Sequence, residues 1–193
     1  EGTVGSSVTL TVADGFTNSG TIRMDNLYAS SGRSQTLNVT NGTLINDGTI
    51  ETRRSGAGGT QTIDADITQT ANGLIDVYQD ATIRSLNFDS SLGSINVETG
   101  HTLTLQAETS SAVVTLGSSS NLTGDGRILF SGNQTLNLAS PFELTATSVA
   151  LDFASGAITI AGADLTVGAG GSLVFRNDTV NSNFQNAGTF RAE

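Results

Sequence analysis

The stretch Phe16-Thr-Asn18-Ser-Gly20-Thr-Ile22 returns as Leu44-Ile-Asn46-Asp-Gly48-Thr-Ile50 and again as Phe184-Gln-Asn186-Ala-Gly188-Thr-Phe190. This recurrence constrains the fold more than any other feature of the chain. Weaker copies are Leu122-Thr-Gly124-Asp-Gly126-Arg-Ile128 and Val167-Gly-Ala169-Gly-Gly171-Ser-Leu173; Gly73, Gly93 and Gly156 each precede an isoleucine by two positions. A second element, Gln35-Thr-Leu37-Asn-Val39, reappears as Gln61-Thr-Ile63-Asp-Ala65 and Gln134-Thr-Leu136-Asn-Leu138. Leu10, Leu37 and Ile63 are separated by 27 and 26 residues, and Ile22, Ile50 and Ile75 by 28 and 25. Self-similarity at such a period marks a stacked array, because one unit cannot bury its apolar face without neighbours.

Apolar residues occur singly or at spacing two, the period of a strand with one buried face. Glycine is abundant, with 23 copies, and no segment has the periodicity of an amphipathic helix. The expected fold is therefore all-β: a right-handed parallel β-helix, or β-solenoid, of degenerate repeats of about 25–28 residues, forming a single domain over residues 1–193. At the corners, Asn18 and Gly20, Asn46 and Gly48, and Asn186 and Gly188 are expected to supply left-handed backbone angles, with the asparagines also bonding one another as a ladder. Ile22, Ile50, Ile75 and Ile95 are expected to stack inside as an aliphatic column. Arg23 and Glu51, each one residue beyond an aligned isoleucine, are expected to pair between coils. The competing architecture, a pair of β-sandwiches, would explain short strands every eight to twelve residues. It does not require whole segments to recur in register.

Lysine is absent, and eight arginines face 18 acidic residues for a formal charge of −10. Such a surface repels phosphate backbones and anionic lipid, so neither nucleic acid nor a membrane surface is an expected partner. No cysteine is present, which excludes disulfides and thiolate metal sites, and no apolar run is long enough for a transmembrane helix. The chain opens on Glu1 and reaches Ala192 inside a repeat, so it reads as an internal segment of a longer repetitive protein.

These Asn-x-Gly-x-Ile turns, as in Asn18-Ser-Gly20-Thr-Ile22 and Asn46-Asp-Gly48-Thr-Ile50, resemble the degenerate repeats of large bacterial surface proteins, the filamentous haemagglutinin-like adhesins and autotransporter passengers. The resemblance implies a shaft segment, extracellular or on the bacterial surface, flanked by further repeats. Its partner would be a glycan or a cell-surface receptor. The secretion motif of the haemagglutinin type, built on Asn-Pro-Asn, is missing.

Chemistry has few candidates. Asp64 and Asp66, at spacing two, share an outward face roughly 7 Å apart, a separation suited to acid and base pairs in glycoside hydrolysis. They carry the alternative reading, a carbohydrate-processing or carbohydrate-binding β-helix; as plain outward residues they need no ligand. No cofactor is expected. Calcium is the metal an oxygen-rich donor set would suit, and Asp125 between Gly124 and Gly126 is the one feature in its favour, although a turn explains it as well. His101 lacks a second nitrogen ligand. Three loops are candidates for contact with a partner: Asn26 to Arg33, Arg53 to Gly59 and Glu108 to Ala112, the second bringing Arg53 and Arg54 for an acidic ligand. Thr9 with Thr11 and Thr102 with Thr104 are too irregular in sequence for the arrays of ice-binding solenoids, and the Asn-x-Thr triplets, such as Asn38-Val-Thr40, follow from composition.

Overall fold

In the computed structural model, residues 7–25, 33–53, 59–145 and 147–192 are described. They contain strands and turns but no helix, and every strand pairing is parallel. Parallel pairing throughout removes the sandwich, whose hairpins require antiparallel neighbours. The chain is a β-solenoid in which each coil runs through three faces. The first coil is Val8–Val12, Phe16–Asn18 and Thr21–Met24. About seven turns separate it from Ser172–Phe175, Thr179–Val180 and Phe184–Asn186, after which Thr189–Ala192 returns to the first face. At about 4.8 Å per coil, that spans some 34 Å along the axis.

The register follows the sequence spacing near the start of the chain. On the first face Leu10 lies over Leu37, Leu37 over Ile63, Ile63 over Ile83 and Ile83 over Leu105. On the third, Ile22 lies over Ile50, then Ile75, Ile95 and Leu122. Ile50, Ile75 and Ile95 are fully buried, whereas Ile22, on the first coil, is only partly buried. Alternation places every second side chain inside, and a fully buried isoleucine contributes about 1.5–3 kcal/mol. Lower in the stack the first-face core becomes aromatic. Phe130, Phe153, Phe175 and Phe190 follow one another at centroid separations of 4.8, 5.2 and 5.2 Å.

Three expectations are corrected. First, coils are not all 25–28 residues long: partners on adjacent coils lie 28 apart for Asn18 and Asn46, 20 for Asp64 and Arg84, and 19 for Asp164 and Asn183. Corners absorb the difference, since only the paired strands must keep their length.

Second, the terminal copy of the repeat lies on another corner. Phe16 and Leu44 are partners on the second face, and their units turn into the third. Phe184 pairs with Leu165 on the third face, and Phe190 pairs with Leu173 on the first. The weaker copies behave alike: Leu122 lies on the third face beneath Ile95, and Ile128 on the first beside Leu103. Seven residues reading apolar, turn, glycine, apolar encode a corner, and any corner of the coil can use them.

Third, Gly20, Gly48 and Gly188 do not adopt left-handed angles, and among the described residues no asparagine does. Among the described residues positive φ is confined to other glycines, such as Gly42 and Gly124. What Gly48 provides is close approach: a Cβ there would lie 2.2 Å from the Gly20 carbonyl oxygen, and one on Gly188 2.3 Å from that of Gly168. The Gly20 carbonyl accepts the Thr49 N–H at 2.8 Å, that of Gly48 the Leu74 N–H, and that of Gly73 the Ser94 N–H. Corners can stack at strand spacing only where no side chain intervenes.

Candidate functional site

Asparagines at the corner between the second and third faces form the interior ladder. Asn18 Nδ2 donates to Asn46 Oδ1 at 2.9 Å, Asn46 Nδ2 to Gln69 Oε1 at 3.2 Å, and Gln69 Nε2 to Ser90 Oγ at 2.7 Å. Each amide also holds the next coil's backbone, at the carbonyls of Thr49, Leu74 and Ser94. Asn46, Gln69 and Ser90 are fully buried, so the ladder is architectural and unavailable to a ligand. Asn186 is exposed and accepts the Gly188 N–H at 3.2 Å, a local turn bond.

Asp64 and Asp66 both point outward from Gln61–Gln69 and border a cleft of about 340 Å³ with Asn38, Thr40, Leu86 and Glu108. Their roles diverge. Asp66 Oδ1 accepts the N–H groups of Leu86 and Asn87, both at 2.9 Å, and Oδ2 accepts Asn87 Nδ2 at 3.2 Å. It caps the corner of the next coil, where the strand breaks between Ser85 and Asn87. Asp64 instead pairs with Arg84 at 2.7 Å. Burial pushes the Glu108 carboxyl above its ordinary range, and a hydrogen bond to Asp64 pushes it the same way. The sequence pairing of Asp64 with Asp66 therefore missed Glu108, which a coil of 20 to 22 residues brings over from the next corner but one.

The register also aligns Thr9, Thr36, Thr62, Thr82 and Thr104 as one outward column on the first face, a regularity that irregular coil lengths conceal in the sequence. The adjoining column holds Asn38, Asp64 and Arg84, so charge interrupts the hydroxyl array.

On the third face, Arg23 and Glu51 are direct partners, with Arg23 Nε 2.8 Å from Glu51 Oε2. Arg53 Nε approaches the same oxygen at 3.3 Å, and the Arg53 Cζ lies 3.7 Å from the centre of the Tyr78 ring. Bonds from Arg23 and then Arg53 hold the Glu51 carboxyl below its ordinary range. Hydrogen bonding to Asp76 pushes the Tyr78 phenol up. A pocket of about 450 Å³ lies among Arg23, Asp25, Arg53 and Tyr78. Tyr78 had no place in the sequence reading, yet its separation from Arg53 equals that from Ile50 to Ile75, the signal that would have found it.

His101 Nδ1 lies 3.4 Å from Asp80 Oδ1. The Asp125 carboxylate accepts a hydrogen bond from Thr99 at 3.4 Å, and no three acidic or histidine side chains converge as a metal site among the described residues. Of the three candidate loops, residues 26–32 and 54–58, including Arg54, lie outside the described residues. Glu108 and Thr109 are exposed beside the cleft. No helix among the described residues is long and apolar enough to cross a membrane. Set against known family models, curated proteins and solved structures, the chain has no significant match.

Proposed function

We propose that this solenoid is a shaft segment of a secreted or surface-attached bacterial protein, whose outer faces engage a glycan or a cell-surface partner. The observation that carries the reading is the inter-coil bonding, which runs the length of the stack on the first two faces. Backbone pairing on the first and second faces ties each coil to the next, the third face pairs in two blocks, and the buried amide ladder from Asn18 to Ser90 reinforces the first four coils. A structure bonded in this way resists bending and extension and can hold other regions away from a surface. The acidic, lysine-free exterior keeps it soluble and discourages contact with anionic lipid.

Beads coated with the protein, passed over whole cells and a panel of polysaccharides with and without a calcium chelator, test the adhesive part. Saturable retention on particular surfaces is the expected result. Uniform absence of retention by folded protein would leave a passive shaft and overturn adhesion.

The second reading, carbohydrate processing at the cleft of Asp64 and Asp66, draws on Glu108, which borders the same cleft and whose carboxyl is pushed above its ordinary range by burial and by its hydrogen bond to Asp64. Release of reducing ends from a polysaccharide, lost in Glu108→Gln and Asp64→Asn, is the outcome that would favour it.

A further inference from the structure

Two stretches far apart in the chain are congruent. Thr179-Val-Asn-Ser-Asn-Phe184-Gln-Asn186-Ala-Gly188-Thr-Phe190-Arg-Ala192 matches Thr11-Val-Ala-Asp-Gly-Phe16-Thr-Asn18-Ser-Gly20-Thr-Ile22-Arg-Met24 without a gap, and seven of the fourteen positions are identical. Their strands coincide as well. Thr179–Val180 falls on the end of Val8–Val12, Phe184–Asn186 on Phe16–Asn18, and Thr189–Ala192 on Thr21–Met24. Among the described residues these strands are the two edges of the stack, each paired on one side only. Their inward side chains are covered by half: Val12, Phe16, Ile22 and Val180 are partly buried, and Phe184 and Phe190 are 36% and 45% exposed.

Within the chain, one copy of this motif already pairs with another. Phe16 lies over Leu44, Asn18 over Asn46 and Ile22 over Ile50. The Thr49 N–H donates to the Gly20 carbonyl, the Asp47 N–H to the Asn18 carbonyl, and Asn18 Nδ2 to Asn46 Oδ1.

We propose that the last coil of one copy of this protein receives the first coil of a second copy, in the register that sets Val180 over Val12, Phe184 over Phe16, Asn186 over Asn18 and Phe190 over Ile22. Strands on the second, third and first faces of the one then meet strands on the first, second and third faces of the other, so the second copy is turned by one face about the shared axis. The motif allows this turn because it already serves different corners in its first and last copies. Contacts across the junction repeat those between the first two coils: Thr21 N–H donates to the Gly188 carbonyl, Asn186 Nδ2 to Asn18 Oδ1, and the two apolar edges cover each other. The two surfaces are different, so the contact does not close on itself and the product is an open rod. Arg191 falls over Arg23, whose partner Glu51 lies on the following rung. That like-charge contact, and the charge of −10 on each copy, make stacking stronger as salt is added.

The inference goes beyond the adhesive reading and does not rest on it; beads can be retained without stacking, and stacking can occur without retention. Sedimentation velocity of the whole chain, from micromolar to millimolar concentration, tests it. The unaltered protein should form species at integral multiples of 19.7 kDa that grow with concentration and salt and revert on dilution. Gly20→Ala isolates the contact. Its Cβ meets no atom within 4 Å in a single copy, whereas in the stack it takes the place that a Cβ on Gly48 would have, 2.2 Å from a glycine carbonyl oxygen of the coil above, here that of Gly188. At micromolar dilution the variant should melt as the unaltered protein does, and its association should be weaker by about tenfold. The chain has no cysteine, so register can be read by crosslinking. Thr17→Cys and Gln185→Cys, both at exposed positions, bring their Cα atoms about 4.8 Å apart across the junction, within reach of a disulfide. Mild oxidation should join a mixture of these two variants and neither alone. An unaltered protein that stays monomeric at millimolar concentration, undiminished association of Gly20→Ala, or equal crosslinking of Thr17→Cys by itself overturns the proposal.

Discussion

Gly20 and Gly48 occupy the same place in two copies of one motif, yet alanine at the two positions should have opposite effects. At Gly48 the new Cβ would sit 2.2 Å from the Gly20 carbonyl oxygen and 2.9 Å from its nitrogen, both backbone atoms that cannot rotate away. Relief requires the corners to separate, which stretches the 2.8 Å bond from Thr49 N–H to that same oxygen. Overpacking costs about 1–3 kcal/mol. One lost inter-coil hydrogen bond adds about 1 kcal/mol. Reduced freedom of the unfolded chain returns about 0.4–1 kcal/mol. The net is a loss of about 1–3.5 kcal/mol, and in a chain of this size each kcal/mol shifts Tm by about 2–4 °C. Gly48→Ala should therefore melt about 2–14 °C below the unaltered protein. At Gly20 no atom lies within 4 Å of the built Cβ, and the backbone is not left-handed. Gly20→Ala should match the unaltered protein or gain the small unfolded-state term. Thermal melts followed by circular dichroism decide it: equal Tm for Gly48→Ala and the unaltered protein, or an equal fall in Gly20→Ala, would refute the role given to coil contact.

Asn46→Leu removes the middle of the buried ladder and leaves Gln69 Oε1 without its donor. A loss of about 1–3 kcal/mol for each buried group left unsatisfied is expected from urea denaturation, and an unchanged midpoint would show that the ladder is dispensable. Arg23→Glu and Glu51→Arg should each destabilise slightly and rescue one another in the double variant, with a coupling of about 0–1 kcal/mol because Arg23 is exposed; zero coupling would count against the pairing. Glu51 and Asp47 are both held below their ordinary values, the first by bonds from Arg23 and Arg53, the second by bonds from Thr70 and Asn72. A depressed carboxyl stabilises the fold above its unfolded pKa, and that stability is lost as pH falls through the folded value. Tm should accordingly decline below about pH 4, and the decline should be shallower in the Glu51→Gln, Asp47→Asn double variant; an identical slope would remove these two groups from the acid response.

The pairings of Leu10 with Leu37 and Ile63, of Ile22 with Ile50 and Ile75, and of Arg23 with Glu51 were all legible from residue spacing. In a parallel, in-register stack the period of the sequence is the pairing rule, and local alternation says which side chain faces inward. The stacked asparagines were legible for the same reason. Candidate chemistry was legible only in part: Asp64 and Asp66 share a face, but the hydrogen bonds that commit Asp66 to Leu86 and Asn87 depend on where the following coil turns.

Composition, alternation and the recurring seven residues thus determined by themselves that this chain stacks parallel strands and which of its early residues lie over one another. Tertiary structure decided which corner each copy occupies, because coils of 28 to 19 residues carry the same local motif around the axis and residue counting loses the face. It also decided why glycine stands at Gly48 and Gly188: the obstruction is a carbonyl of the neighbouring coil, which no local backbone preference reveals. The convergence of Arg23 and Arg53 on Glu51, over Tyr78, belongs to the same level, since those side chains meet only after two successive coils have closed.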